Sequence, residues 1–118
     1  MKFMFIVKSA HSVAPTPALL EAMHKLAHRE IQAGRMLDNG GLMPMAQGAQ
    51  VRIVDGEISV LDGPFVEAKE VIGGYAVFEL HNKEEALASA VEFMQLHKEF
   101  LPGWEGTCEL RPFAAGGP

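Results

Sequence analysis

The chain has 118 residues, 48% of them hydrophobic and 21% charged, which is ordinary for one globular domain and too apolar for a disordered chain. Its net charge of -5 argues against direct binding of a nucleic-acid backbone, and no apolar segment reaches the length of a membrane span. The single cysteine excludes an internal disulfide, so we expect a cytoplasmic protein.

The first third of the chain predicts a strand, a helix and a second strand. Residues 3–7 form a continuous apolar run that is typical of a strand. Thr16 and Pro17 are residue types favoured at a helix start, and Gly34 suits the position just after the helix. A second strand is expected over residues 35–42. The expected buried stripe of the helix is Leu20, Met23, Ala27 and Ile31.

The middle of the chain carries the clearest local signal, a β-hairpin. Two alternating segments, residues 51–54 and 57–60, flank Asp55-Gly56, a dipeptide favoured in two-residue hairpin turns. Asp62-Gly63-Pro64 ends the hairpin, because all three residue types favour turns. A further strand is predicted over residues 74–80.

The last third predicts a second helix and a final strand. Asn82 suits the helix N-cap, with Glu85 three residues later as in a capping box. A strand is expected over residues 107–113, and the tail 114–118 is expected to be disordered. We therefore interpret residues 1–113 as a single domain. The expected buried stripe of the second helix is Leu87, Ala90, Val91 and Met94.

The order of these elements is β-α-β, an inserted hairpin, then β-α-β. This pattern predicts a ferredoxin-like α+β domain, in which two helices pack on one face of an antiparallel sheet. The first strand is apolar at every position, so its side chains on the sheet face away from the helices must also be buried. A second copy of the chain, packed sheet to sheet, would provide that cover and make a homodimer. The hairpin folded over the same face is the alternative.

Residues 62–70, Asp-Gly-Pro-Phe-Val-Glu-Ala-Lys-Glu, followed by Gly73-Gly74-Tyr75, resemble the motif of the DGPF domain family within the YCII-related group. Val51-Arg52 and residues 109–113 also fit, so the resemblance covers essentially the whole chain. It implies a dimeric α+β barrel of ferredoxin-like subunits. Some relatives are associated with sigma factors, and some YCII-related proteins resemble muconolactone-type dehalogenating lyases. The resemblance thus implies lyase-like acid–base chemistry or, alternatively, a non-catalytic interaction module linked to transcription regulation.

A His on the first helix and an Asp on the next strand form the site proposed for the YCII-related group. The His position falls on Met23 here, with His24 one residue away, and Asp38 lies near the place of the Asp. One residue along a helix is a rotation of about 100°. This sequence therefore departs from the family pattern, and His24 and Asp38 are candidate catalytic residues by position alone.

The polar segment before Tyr75 has a structural and a functional interpretation. Asp-Gly-Pro is turn chemistry and needs no ligand. Loops on rigid scaffolds are also where binding residues concentrate, so the segment can line the mouth of a pocket. In that interpretation Lys69 binds an anion, Glu70 acts as a base, and Tyr75 lies beside them.

On the last strand, Glu109 and Arg111 alternate with Cys108 and Leu110, so the two pairs face opposite sides of the sheet. We expect Cys108 to be a small buried hydrophobe with an inert thiol. The charged pair then faces the dimer side, where it tethers strands or subunits or anchors an acidic ligand. A small acidic metabolite would be bound by Arg111 and Lys69, with Asp38 or Glu70 as the titrating group.

The histidines give a weak metal signal. His24 and His28 share one helix face at a spacing that can hold a metal. No third ligand is evident, so a solvated helix face is the preferred interpretation, and we expect no metal or other cofactor. His97 occurs singly and is expected at the surface, whereas Trp104 either walls a pocket or completes the core.

Overall fold

A computed structural model of the chain describes residues 1–10, 13–62 and 71–115. The elements, in chain order, are β1 (Lys2–Ser9), α1 (Pro17–Gln32), β2 (Met36–Gly41), a short 3-10 turn (Met45–Gln47), β3 (Ala49–Val54), β4 (Glu57–Asp62), β5 (Val71–Glu79), α2 (Lys83–Phe100) and β6 (Gly106–Pro112). The predicted α+β class is confirmed. Neither helix in the described part of the chain has the length and apolarity of a membrane span.

Both helices begin where their capping residues predict. The Thr16 hydroxyl accepts a hydrogen bond from the Leu19 amide at 3.1 Å, and the Asn82 side chain accepts one from the Glu85 amide at 2.9 Å. The Thr16 hydroxyl also donates to the carbonyl of Phe100 at 2.8 Å, which ties the start of α1 to the end of α2.

Four strands form one antiparallel sheet in the order β2-β5-β1-β6. With its two helices, the sheet is consistent with a ferredoxin-like α+β fold. Phe3 and Phe5 of β1 and Phe78 of β5 face the helices, and the Phe5 and Phe78 rings stack with centroids 4.5 Å apart. Ala86 and Ala90 of α2 pack on these rings and complete the core.

Helix α2 buries a different stripe from the predicted one. Ala86, Ala90 and His97 are buried, whereas Leu87 is 47% and Val91 is 55% exposed. Ala86 and Ala90 pack directly against the aromatic rings of the sheet, where small side chains fit. The prediction was therefore wrong at Leu87 and Val91.

At the end of helix α1, a buried carboxylate is held by two partly exposed arginines. The carboxylate of Glu30, a residue only 4% exposed, accepts hydrogen bonds from Arg35 Nε at 3.0 Å and Nη2 at 2.5 Å, and from Arg29 Nε at 3.2 Å. Arg29 in turn donates two hydrogen bonds to Glu92 of α2. The arginines, Arg35 first, hold the pKa of Glu30 below its usual range although burial opposes them. Ile31, predicted to be buried, is exposed beside this network.

Strands β3 and β4 pair with each other in a separate two-stranded antiparallel sheet. Asp55 and Gly56 have φ angles of 51° and 78°, as a type I′ turn requires. The Cα radius of gyration of the whole chain is 16.1 Å, which exceeds the roughly 13.5 Å expected for a compact domain of this length. One face of this ribbon carries two apolar cross-strand pairs whose side chains are 67% to 75% exposed: Val51, Ile53, Ile58 and Val60.

Candidate functional site

Four of the seven predicted site residues lie on the face of the four-stranded sheet that is turned away from the helices, here called the outer face. Strand register aligns Asp38 with Val77, Tyr75 with Ile6, and Ile6 with Glu109. The outer-face residues used below are Met4, Ile6, Lys8, Asp38, Tyr75, Val77, Glu109 and Arg111. Of the other three predicted residues, His24 lies on α1, and Lys69 and Glu70 lie outside the described residues.

At one edge of the outer face, Tyr75 and Asp38 are hydrogen-bonded. The phenol of Tyr75 donates to Asp38 Oδ2 at 3.1 Å, and the bond to this carboxylate raises the pKa of Tyr75. The ring of Tyr75 lies against Gly40, where a Cβ atom would approach the ring to 2.9 Å. The absence of a side chain at Gly40 thus allows the phenol to reach Asp38.

At the other edge, Glu109 is held by two cations. Its carboxylate accepts a hydrogen bond from Lys8 Nζ at 2.8 Å and lies 3.4 Å from Arg111 Nη1. Both cations, Lys8 first, keep the pKa of Glu109 below its usual range. The bond between Lys8 and Glu109 joins β1 to β6, whereas the predicted partners Glu109 and Arg111 lie on the same strand.

Asp38 and Arg111, the outermost members of the two polar groups, lie far apart within a subunit. Asp38 lies on β2 and Arg111 on β6, which are the outermost strands of the sheet. Three strand spacings separate them, or about 14 Å. Between them the outer face is apolar, with Met4, Ile6 and Val77 half-buried.

On the opposite side of the sheet, the helices and the sheet enclose a cavity of about 720 Å³. None of its described lining residues is Asp, Glu, Lys or Arg. The described lining residues with polar side chains are Ser9, His24, Asn39, Tyr75, Ser89, His97 and Trp104. The hydroxyl of Tyr75 is itself bonded to Asp38. The apolar walls include Val7, Leu19, Met23, Phe78 and Phe93. Mostly apolar walls with a few polar groups are typical of small-molecule sites, and this volume is in their usual range.

The predicted dyad of His24 and Asp38 is not brought together. His24 lies at the rim of the cavity on the helix side, whereas Asp38 is on the outer face of the sheet. His24 and His28 also share a shallow surface groove with Glu21. In the ranges that the structure describes, no three His, Cys, Asp or Glu side chains gather in a metal-binding arrangement.

His97 is the residue that sequence reasoning missed. It is 7% exposed, lines the cavity, and its Nδ1 atom lies 3.1 Å from the carbonyl oxygen of Phe93. Burial lowers the pKa of its imidazole below the ordinary value of 6.5. A stripe drawn from Ala86 at helical spacing, through Ala90 and Phe93, would have found it.

Trp104 walls the cavity and positions His97. The imidazole lies between the rings of Phe93 and Trp104, with centroids 4.6 Å and 4.7 Å away. The indole lies directly against Gly106, where any side chain would collide with it. Because Gly106 has no side chain, the indole of Trp104 can pack beside the imidazole of His97.

Cys108 behaves as predicted. It is half-buried against the core, and burial raises the pKa of its thiol to about 11. The thiol is therefore protonated near neutral pH, which makes it a poor nucleophile.

In a comparison with known protein families, residues 1–93 match the YCII-related domain. An uncharacterised protein of Rhizobium meliloti (strain 1021) is 28% identical over 108 residues, covering 92% of this chain and 83% of that protein. The matched range includes His24, Asp38 and Tyr75 but ends before His97 and Trp104.

Proposed function

The chain belongs to the YCII-related domain family, and we propose that it binds a small organic molecule in the cavity between its helices and its sheet. The cavity itself carries the proposal, because its 720 Å³ and mostly apolar walls suit a compact organic ligand. Within the family we assign the chain to the DGPF group, on the motif of residues 62–70 and Gly73-Gly74-Tyr75.

The charge of the lining favours an uncharged ligand. The described walls hold no lysine or arginine that would compensate the desolvation of a carboxylate. The predicted acidic metabolite therefore belongs to the outer face, where Arg111 and Lys8 supply positive charge. Such a ligand would lie between the sheet and a partner subunit.

Lyase-like acid–base chemistry remains part of the proposal. His24 is the one predicted catalytic residue that lines the cavity in the described part of the chain. Asp38 would act separately on the outer face, through its hydrogen bond with Tyr75. Glu70 lies outside the described residues.

We also propose a homodimer that pairs two outer faces. The apolar centre of this face, formed by Met4, Ile6 and Val77, supports the assembly because the helices of its own subunit lie on the other side. The charged group of Lys8, Glu109 and Arg111 would border that interface.

The second candidate function is an interaction module. The β3–β4 ribbon favours it, because Val51, Ile53, Ile58 and Val60 present an exposed apolar face to solvent. Replacing both Ile53 and Ile58 with Ser should leave binding in the cavity intact and abolish only an interaction made through the ribbon.

The cavity proposal is tested by identifying what the protein carries. Mass spectrometry of extracts of the purified protein should detect a small molecule in stoichiometric amount. Met23→Trp fills the cavity and should remove that molecule. Lys25→Trp adds the same ring on the exposed side of α1 and should retain it. If the wild type carries nothing, and no compound from an uncharged fragment library binds it, the proposal is wrong.

A further inference from the structure

We propose that His97 orients the ligand by accepting a hydrogen bond at Nε2 from the hydroxyl group of an uncharged, mostly apolar molecule. This inference rests on the proposed function, since it names the ligand class of the same cavity. It assigns a binding residue that lies beyond the matched range of residues 1–93.

The hydrogen bond at Nδ1 determines the tautomer of His97. Nδ1 lies 3.1 Å from the carbonyl oxygen of Phe93, and a carbonyl oxygen only accepts hydrogen bonds. Nδ1 therefore carries the proton. In the neutral imidazole the other nitrogen, Nε2, is then a bare acceptor.

Nε2 is both unpaired and accessible. The one hydrogen bond of the His97 ring among the described residues is the bond at Nδ1. In the described part of the chain, every side-chain nitrogen or oxygen that is sealed from solvent has a hydrogen-bond partner. Nε2 is therefore not sealed from solvent. Because His97 is only 7% exposed and lines the cavity, we infer that a ligand reaches Nε2 from the cavity.

The surroundings of His97 keep the imidazole neutral and its acceptor available. Burial disfavours the imidazolium form, so the pKa of His97 lies below its ordinary value. The titratable groups on the described walls besides His97 are His24 and Tyr75, and no carboxylate is among them. A donor on the ligand thus finds a neutral imidazole acceptor at His97, with the rings of Phe93 and Trp104 tilted against it.

A purely structural role would use different atoms of the same residue. The ring packs between two aromatic side chains and Nδ1 satisfies a helix carbonyl, whereas Nε2 stabilises nothing within the described chain. The two roles are therefore separable by testing Nε2 alone.

Trp104 makes the test direct, because it is the only tryptophan in the chain and its ring centroid lies 4.7 Å from that of His97. Its fluorescence can follow titration of the wild-type protein with p-propylphenol and with p-propylanisole. In the anisole a methyl group replaces the hydroxyl proton, so the anisole has no hydrogen to donate. The phenol should bind about 2- to 12-fold more tightly, the range expected for one net hydrogen bond.

Three variants assign that preference to Nε2. His97→Phe keeps a ring between Phe93 and Trp104 and should bind both probes equally. His97→Asn retains a donor near the Phe93 carbonyl but lacks Nε2, and should also lose the preference. His97→Gln places an amide near the Nε2 position and should restore part of it. His81→Phe makes the same change at an exposed histidine outside the cavity and should keep the full preference.

Each outcome separates this inference from the proposed function. If the wild type binds both probes with equal affinity, the role of His97 is refuted while the cavity remains a binding site. If His97→Asn folds and keeps the preference, the acceptor is another atom and the inference is again wrong. If neither probe binds the wild type, the inference about His97 is wrong, whereas the cavity proposal is decided by the mass spectrometry and the fragment library.

Discussion

The two faces of the four-stranded sheet differ in how their polar groups are satisfied. On the helix side, the buried carboxylate of Glu30 is saturated by two arginines, while His97 keeps one nitrogen unpaired beside a cavity. On the outer face, Asp38 and Glu109 are each paired at an edge and remain partly accessible to water.

This contrast indicates which polar groups support the fold and which are available to a ligand. A buried charge with all its hydrogen bonds made stabilises one arrangement and has little left to offer a ligand. A buried nitrogen that lacks a partner carries a desolvation cost that only a ligand or water can relieve. By this criterion, Glu30 is structural and His97 is the binding group.

The largest effect should come from Glu30. Glu30→Gln should lower the free energy of unfolding by about 2 to 4 kcal/mol, because it unbalances a network of one buried carboxylate and two partly exposed arginines, which can partly rehydrate. Urea denaturation measures the change. Glu109→Gln, the same substitution on the outer face, should have a much smaller effect in the monomer. Equal losses in the two variants would contradict the contrast between the faces.

The second prediction concerns assembly through the outer face. Ile6→Asp should weaken the homodimer by at least about 1 to 3 kcal/mol for each of the two buried carboxyl groups, since neither has a partner even when it is protonated. Light scattering should then give the mass of a monomer at micromolar concentration. Leu87→Asp, on an exposed position of α2, should leave the dimer intact. A wild-type monomer under these conditions would refute the dimer itself.

The third prediction is the pH dependence of stability on the helix side. The pKa of His97 in the folded protein lies below its ordinary value of 6.5, so the unfolded chain binds its proton first as the pH falls. His97 therefore makes its full contribution above about pH 6.5, and stability falls as the pH drops toward the folded pKa. Denaturation at pH about 7.5 and about 5.5 should show this loss in the wild type and in His81→Phe. His97→Phe should lack that part of the loss.

The smallest effect is expected at the Tyr75–Asp38 pair. The bond to the Asp38 carboxylate raises the pKa of the Tyr75 phenol above its ordinary value of 10.0. Asp38→Asn should return the pKa toward that value with little change in thermal stability, since the pair is exposed. Tyr75 is the only tyrosine in the chain, so its absorbance titration reports this group alone. An unchanged titration curve would mean that the hydrogen bond does not form in solution.

Local signals were enough to predict the main helices and strands and the starts of both helices, but β5 begins at Val71 and not at Gly74. Thr16 and Asn82 cap the helices as expected, because an N-cap hydrogen bond involves residues only three positions apart. The Asp55-Gly56 turn is equally local, since two residues with positive φ reverse the chain by themselves. Alternation along β6 also placed Cys108 on the core side and Glu109 and Arg111 on the other.

The candidate site was decided by tertiary structure. Hydrophobic spacing on α2 allowed more than one buried stripe, and the sheet's aromatic rings selected the one through Ala86 and His97. Strand register then placed Asp38 on the face opposite His24, which separates two residues that lie 14 positions apart in the sequence. Periodicity defines the possible faces of a helix or strand, but the shape and charge of distant neighbours determine which face is buried.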